Sequence, residues 1–338
     1  MTAAFAAAPT LAETPPKPLF ASDDPIRVTI TGPIGAIARA AENSTTPREA
    51  TLAIGGTSET YPIRLSARGI SRRTKVTCQF PPLRVDFTGR PAETSLFAGQ
   101  RRLKLVTHCR SNAAFQQHTL LEYSGYRILN LLDPLSFRAR LALVTYLEAD
   151  GRPVTQRIGF FLEDKNDVAS RNGYYPANVG DRISFAQLDP RRAARIAMFQ
   201  YMIGDLDWAM IAGPRGEGCC HNVRLLTAAP DRLPYHPITY DFDYSGLVDA
   251  SYAVPPEGFH ISSVRNRVYR GYCRHNGDAL AVAAEFRAKR HQIEAIFGQI
   301  PQMEQRTRAK AVAYLARFFD EIATDDSVRS KILNHCVG

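Results

Sequence analysis

Three polar sites follow one another in the middle of the chain, and their types suit phosphoryl transfer. Asp207 lies in GDLDW, Asn222 follows a histidine, and Asp241 opens DFD. Phosphoryl transfer uses a carboxylate to orient or deprotonate the attacking hydroxyl, and an Asn and an Asp to hold Mg²⁺ on the phosphates. The order predicts Asp207 as the base and Asn222 and Asp241 as metal ligands. Asp243 is a further candidate, because Mg²⁺ prefers oxygen ligands.

Charged side chains upstream could grip the phosphates of ATP. Lys104 alternates with apolar residues in RRLKLV, and Glu122 lies in LLEYSGYRILNLL, so we expect a strand lysine paired with a helix glutamate. Arg68 and Arg72 in ARGISRRTK are candidate phosphate contacts, since guanidinium groups match phosphate oxygens. A solvated basic strand explains these arginines equally well, and both interpretations stay open.

The pattern around these residues predicts strands first and helices later. Short apolar runs closed by glycine fill residues 26–87, a helical period runs from Ala113 to Pro134, and two apolar runs flank Asp150-Gly151 as in a hairpin. Further helices are expected over 191–203 and, as two long helices, over the ranges 278–298 and 301–323.

These elements predict an α+β fold with a β-rich N-terminal lobe and a helical C-terminal lobe. We divide the chain into a disordered tail (1–24), a lobe with the lysine and glutamate (25–165), and a lobe with the catalytic and metal-binding loops (166–338). The Gly- and Pro-rich segment from Gly204 to Gly277 is predicted to form loops between the helices. We expect the catalytic groups there, because such groups tend to lie on loops held by a rigid scaffold.

Composition indicates a folded globular chain with an anionic partner. It has 338 residues, 45% of them hydrophobic, and a net charge of +9. Basic residues are dispersed and do not interleave with aromatics, so nucleic-acid binding is not expected.

No apolar run is long enough for a transmembrane helix. The compartment stays open between the cytoplasm and an exported or cell-envelope location.

The six cysteines show no zinc-binding spacing. Buried thiols are the favoured interpretation, but disulfides are conceivable, either Cys78 with Cys109 or one of the adjacent pair Cys219 and Cys220 with Cys273. A thiol enzyme using that adjacent pair and the next histidine is disfavoured, because sequence neighbours seldom point at one another.

Between about Thr57 and Gly271 the chain resembles the CotH-type family of spore-coat protein kinases, and more closely a bacterial branch of hypothetical proteins in it. The resemblance rests on RGISRRTKVTCQFPPLRVDF, LKLVTHC, LLEYSGYRILNLL, SFRARLALVTYL, GFFLEDKNDVASR, QYMIGDLDW, HN and YDFDYSGLV. It implies an atypical protein-kinase-like fold. It also implies ATP with Mg²⁺, Mn²⁺ being an alternative, and transfer of the γ-phosphoryl group to a Ser or Thr of an unknown protein acceptor.

The resemblance gives Lys104, Glu122, Asp207, Asn222 and Asp241 the roles named above, and adds Glu163 as a nucleotide contact between the lobes. Two features depart from the family. Asp205 replaces the usual Asn two positions before Asp207, and the separation between Asp207 and Asn222 is longer than in ordinary kinases. Asp205 is therefore a substitute candidate for the catalytic carboxylate.

Two other functions remain open beside the phosphotransferase. A pseudokinase-like module would bind nucleotide without turnover and regulate a partner. A transferase on the same scaffold would attach AMP or glutamate to a protein, because a fold does not fix the reaction.

Overall fold

The first half of the chain forms a closed β-barrel in the computed structural model, which describes residues 14–338. The barrel strands are β1 (Ile26–Thr31), β2 (Arg48–Ile54), β3 (Thr60–Ala67), β4 (Leu83–Phe87), β5 (Arg102–Val106), β6 (Ala139–Leu147) and β7 (Pro153–Leu162). Their order around the barrel is β1-β2-β3-β4-β5-β7-β6. Neighbours are antiparallel except β6 and β1, which run parallel and close the barrel from Ile26 opposite Ala142 to Thr31 opposite Leu147.

This closure shows that the predicted kinase-like fold is wrong. A kinase-like N-terminal lobe would be built on an open sheet, whereas here the seven strands leave no edge between β1 and β6. Alternate residues of β1, namely Ile26, Val28 and Ile30, are buried inside the barrel. Because pairing the outer strands satisfies backbone groups that an open sheet would expose, closure around this apolar interior is favoured.

Helices and a small second sheet make up most of the remaining structure. The helices are α1 (Ile34–Ala40), α2 (Ala113–Leu132), α3 (Lys165–Arg171), α4 (Pro190–Ile203), α5 (Asn276–Ala288), α6 (Arg290–Gln299), α7 (Gln305–Glu321) and α8 (Asp325–Lys331). The small sheet has the order β10-β9-β8, with β8 (Tyr175–Pro176), β9 (Val223–Thr227) and β10 (His236–Thr239). The helical half has its own apolar core, separate from the barrel interior, and α2 contributes to it. No helix within residues 14–338 is long and apolar enough to cross a bilayer.

Local predictions agree with the structure better than long-range ones. The helix from Ala113, the hairpin of β6 and β7, and the helix ending at Ile203 are confirmed. The helix predicted over 278–298 is instead divided at Lys289, whose ammonium donates to the carbonyl of Leu131 on α2. A tertiary contact thus coincides with the break.

The N-terminal segment packs on the barrel through Leu19 and Phe20. Residues 1–13 of the predicted tail lie outside the described residues. Pro18–Phe20 forms a 3₁₀ helix whose Leu19 and Phe20 are buried with the barrel core. The folded part of the chain therefore begins before the predicted tail boundary at residue 24, because the side chains of Leu19 and Phe20 are buried in the barrel core.

The cysteines are paired as disulfides. Cys78 bonds to Cys109, as one of the alternatives proposed, and Cys273 bonds to Cys336 rather than to the adjacent pair. Cys219 and Cys220 are joined to each other. Buried free thiols, the favoured expectation, are not what the structure contains.

Candidate functional site

The hairpin of β9 and β10 brings Asn222 and Asp241 together. Asn222 immediately precedes β9 and Asp241 follows β10 by one residue, and the Tyr240 N–H donates to the Asn222 carbonyl at 3.0 Å. Both Asn222 and Asp241 have positive φ, 50° and 70°. Asn and Asp adopt this left-handed conformation more readily than most residues. The hairpin therefore fixes the two predicted metal ligands at one end of the small sheet.

The C-terminus of α4 positions Asp207. The helix is capped by Gly204, which has a φ of 67°, and a Cβ there would collide with the hydroxyl of Tyr314. Asp207 then accepts hydrogen bonds from the Asn222 amide at 3.0 Å and lies 2.7 Å from Nε2 of His221. Asp207 and Asn222 are thus in contact despite their long separation in sequence. The loop between them folds back, and the Ala209 N–H donates to the His221 carbonyl.

These residues line one polar cleft of about 290 Å³ between the barrel and the helical half. Its charged and polar side chains include Arg68, Lys104, Asp207, His221, Asn222, Arg224, Tyr240 and Asp241. Lys104 comes from β5, and its ammonium lies 4.7 Å from the ring centre of Tyr240. The cleft therefore places cationic groups near the carboxylates of Asp207 and Asp241.

Behind the cleft, Arg72 joins three carboxylates in a buried cluster. Its guanidinium lies 3.3 Å from Glu122, 3.1 Å from Asp241 and 3.2 Å from Asp243. Glu122 thus pairs with Arg72, and the structure does not bring it into an ion pair with Lys104. Asp241 belongs both to the cleft lining and to the Arg72 cluster. Its side chain is 32% exposed, while those of Glu122 and Asp243 are buried.

The helix α2 holds this cluster in place. Its Tyr126 hydroxyl accepts a hydrogen bond from the Asp241 N–H at 2.9 Å, and the Tyr126 ring packs against Phe242. A Cβ at Gly125 would lie 3.0 Å from the Phe242 ring, so glycine permits this close approach of helix and loop. Tyr252 donates to Asp243 at 2.9 Å. Aromatic packing therefore orients the carboxylates of the DFD segment.

Burial raises the pKa values of the three carboxyl groups in the cluster, and the positive charge of Arg72 lowers them. Burial raises the pKa of Glu122 to about 8 and that of Asp243 to about 6, although Arg72 acts against both shifts. Burial also acts to raise the pKa of Asp241, but Arg72, Arg68 and Lys104 together lower it. One guanidinium cannot neutralise three carboxylates, so Asp241 ionises first and its two neighbours keep their protons to higher pH.

The pKa values of Lys104 and His221 are shifted in opposite directions. Burial, reinforced by the charge of Arg68, lowers the pKa of Lys104 to about 8. The hydrogen bond to Asp207 raises the pKa of His221 above its ordinary value. Lys104 therefore carries positive charge at pH 7, and the raised pKa of His221 favours its charged form beside an anionic ligand.

Removing Arg72 should destabilise the fold. We expect Arg72→Ala to lower the free energy of unfolding by about 3–5 kcal/mol, because it leaves buried carboxylates without their counter-charge. Urea unfolding measures the loss, which should be smaller below about pH 6, where Asp243 is protonated as well as Glu122. Lys75→Ala is the matched control, since Lys75 is exposed in the same segment. Equal losses in the two variants would contradict this account of the cluster.

Asp205 lies beneath Asp207 and is nearly inaccessible. It is 1% exposed, one oxygen accepts the Asp207 N–H at 2.9 Å, and its other oxygen has no partner among the described residues. Burial raises the pKa of Asp205 to about 8. Asp207, with 37% of its side chain exposed, is therefore the carboxylate that a substrate hydroxyl can reach.

The raised pKa of Asp205 predicts a pH-dependent cost to stability. The folded protein keeps this proton up to about pH 8, whereas the unfolded chain releases it near pH 4, so stability falls as pH rises through this window. Asp205→Asn removes the titration and retains the oxygen that accepts from Asp207. We expect the variant to exceed the parent in stability by several kcal/mol at pH 9 and to differ little at pH 4.

Thermal unfolding across this pH range measures the Asp205 effect. Asp320→Asn, which removes a charge from an exposed helix position, should show no such pH-dependent gain. If Asp205→Asn and Asp320→Asn had parallel pH profiles, the buried carboxylate would not carry the predicted cost.

Glu163 lies apart from the cleft. Both of its oxygens face Arg171, at 2.8 and 3.1 Å, and one also accepts the Arg138 N–H. Its side chain is thus occupied by a buried ion pair, whereas Arg68, Lys104, Asp207, Asn222 and Asp241 share the cleft.

Arg224 and Tyr240 are cleft residues that the sequence interpretation missed. Arg224 lies two positions after Asn222, and the period of two along a strand places such residues on the same face. Its guanidinium lies 5.0 Å from the Tyr240 ring centre, on the same ring that Lys104 contacts. The strand pattern of NVRLLT could have placed Arg224 on the same face as Asn222. No sequence pattern marks Tyr240 as a cleft residue.

The donor set in the cleft fits a hard divalent cation. Asn222 and Asp241 both line the cleft and offer an amide and a carboxylate oxygen, the ligands that Mg²⁺ and Mn²⁺ take. Oxygens of Glu122, Asp241 and Asp243 also lie within 4.8 Å of one another. Since Arg72 already supplies a cation to that buried triad, the cleft side of Asp241 fits the metal better.

Comparison with known proteins adds no family assignment. No protein-family model matches the chain, and no curated protein matches it significantly. Function must therefore be argued from the residues of the cleft.

Proposed function

We propose that this protein is an ATP- and Mg²⁺-dependent phosphotransferase that transfers the γ-phosphoryl group to a hydroxyl of a protein. The proposal rests chiefly on one observation. Asp207, Asn222 and Asp241 come from separate parts of the chain, yet they line one cleft together with Arg68 and Lys104. Phosphoryl transfer needs little beyond positioned carboxylate and amide groups and concentrated positive charge.

The cationic side of the cleft suits the triphosphate. Arg68, Lys104 and Arg224 line it, and their charges can neutralise phosphate oxygens. Arg72 supports this side indirectly, because its ion pair with Asp241 fixes the position of that carboxylate. Arg72 thus takes the structural role expected of a lysine paired with Glu122, while Lys104 has no carboxylate partner within residues 14–338 and can meet a ligand.

Asp207 is suited to accept the proton of the acceptor hydroxyl. His221 and Asn222 hold its carboxylate in one orientation, and it is exposed to the cleft. In the reaction the hydroxyl oxygen bonds to the γ-phosphorus, the bond from that phosphorus to the β–γ bridging oxygen breaks, and ADP leaves. The hydroxyl proton passes to Asp207 and then to solvent.

Asn222 and Asp241 are the residues that would hold Mg²⁺. When bound, the ion neutralises charge on the phosphate oxygens. The lowered pKa of Asp241 favours this role, since the carboxylate is ionised when a metal arrives. The hydrogen bond from the Asn222 amide to Asp207 and the ion pair of Asp241 with Arg72 hold the two side chains in place.

The test is transfer of label from ATP to a pool of Ser- and Thr-containing peptides and proteins. Label at the γ-phosphate, but not at the α-phosphate, should appear on the acceptor. Label from the α-phosphate alone would indicate AMP transfer and overturn the proposal. A parallel assay with labelled glutamate would detect transfer of that amino acid.

A nucleotide-binding module without turnover is the second candidate. The observation that favours it is the Arg72 cluster, in which Glu122 has an arginine partner and Lys104 has no carboxylate partner within ion-pair distance among the described residues. Binding of Mg²⁺-ATP with no ADP formed in the presence of any acceptor would favour this candidate. The paired cysteines favour an oxidising, exported location for either function.

A further inference from the structure

A small apolar pocket adjoins the cleft at Asp207. Its volume is about 140 Å³, and it is lined by Leu206, Asp207, Tyr244, Val254, Pro256 and Val264. Asp207 also lines the cleft, so this carboxylate lies at the junction of a polar space and an apolar one. Leu206 and Val264 are buried, whereas Val254 at the rim is 64% exposed.

The size of the pocket restricts what it can hold. A cavity of about 150 Å³ lined by apolar side chains accommodates a molecule such as benzene. Sites that enclose a whole drug-sized ligand are several times larger, at about 300–1,000 Å³. The pocket thus matches one apolar side chain of a larger substrate, whose remaining atoms would lie on the surface.

The lining also restricts the chemistry of the occupant. Apart from the Asp207 carboxylate and the Tyr244 hydroxyl, the named side chains offer no polar atom to a charged group. An acidic side chain buried there would lose its hydration without a matching partner, and a basic one would meet only Asp207, which the proposed function assigns to the acceptor hydroxyl. An apolar side chain gains by leaving water. Val254 adds an exposed apolar surface at the entrance.

We infer that this pocket selects the acceptor, taking a bulky apolar side chain one or two residues from the Ser or Thr that is phosphorylated. The inference rests on the proposed function, because Asp207 places the pocket beside the acceptor hydroxyl only if it receives that proton. Successive residues of an extended peptide advance about 3.3 Å, so a neighbouring side chain can enter the pocket while the hydroxyl meets Asp207. The occupant is therefore part of a peptide.

The experiment is phosphorylation of a positional peptide array with γ-labelled ATP. Each peptide has one Ser and differs at one flanking position. Phe, Leu or Met at one of these positions should raise kcat/KM by about 10- to 100-fold over Glu or Lys. Val254→Asp should remove this preference and favour Lys at the same position, with an unchanged dissociation constant for Mg²⁺-ATP. Val337→Asp is the control, since Val337 is also exposed but lies outside the pocket lining.

The outcomes separate this inference from the proposed function. Peptides labelled without an apolar preference, or a preference that survives in Val254→Asp, would overturn the pocket assignment and leave the phosphotransferase standing. Binding of Mg²⁺-ATP with label on no peptide would overturn the peptide acceptor. Failure to bind ATP at all would overturn both proposals.

Discussion

Replacing Asp241 with Asn should lower the rate of phosphoryl transfer by about 10³-fold, because a metal ligand of this kind contributes several kcal/mol to stabilising charge in the transition state. The substitution keeps the size of the side chain and removes its charge. Asn also tolerates the left-handed backbone, here a φ of 70°, so the fold should persist. The loss should be accompanied by weaker binding of Mn²⁺, followed by electron paramagnetic resonance of the free ion.

Asp249 provides a matched control for Asp241. It too has a positive φ, 52°, and an ion pair with an arginine, Arg265, at 3.1 Å, but it is exposed and outside the cleft. Asp249→Asn should leave the rate of ADP release and Mn²⁺ binding within about twofold of the parent. Full activity in Asp241→Asn, or an equal loss in both variants, would remove Asp241 from the metal site.

Replacing Asp207 with Asn should lower kcat by about 10²–10⁴-fold, the usual contribution of a general base. Binding of Mg²⁺-ATP should change little, because the proposed role of Asp207 concerns the acceptor hydroxyl. This combination differs from that of Asp241→Asn, in which metal binding is also lost. Steady-state kinetics and an ATP titration on the same sample measure the two effects.

Asp205→Asn provides the comparison that decides which carboxylate acts. Asp205 is buried beneath Asp207 and has no exposed oxygen to offer a hydroxyl. We therefore expect its Asn variant to keep kcat within about tenfold of the parent, any loss coming from a shift of Asp207. The reverse result, with Asp205→Asn inactive and Asp207→Asn active, would reassign the base.

Local sequence patterns predicted the elements that carry the site. Lys104 lies on a strand and Glu122 on a helix, as the alternation and the helical period indicated. The hairpin at Asp150-Gly151 is also present. Such patterns reflect which face of one element is buried, and this information lies within a few residues.

The same local patterns could not predict which distant elements contact one another. Closure of the barrel depends on β1 pairing with β6, more than a hundred residues later, and no local signal specifies that partner. Likewise, Glu122 pairs with Arg72 instead of Lys104 because the segment after β3 folds over α2. An arginine in a basic run has the same local pattern whether it is solvated or buried among carboxylates.

Calorimetric titration of ATP into the protein, with Mg²⁺ and with EDTA, tests the central claim most directly. The account predicts micromolar binding in Mg²⁺, and binding weaker by at least about tenfold in EDTA and in Asp241→Asn. Asp249→Asn should bind as the parent does. Absence of binding under every metal condition, or equal affinity in Mg²⁺, in EDTA and in Asp241→Asn, would contradict a metal-nucleotide site in this cleft.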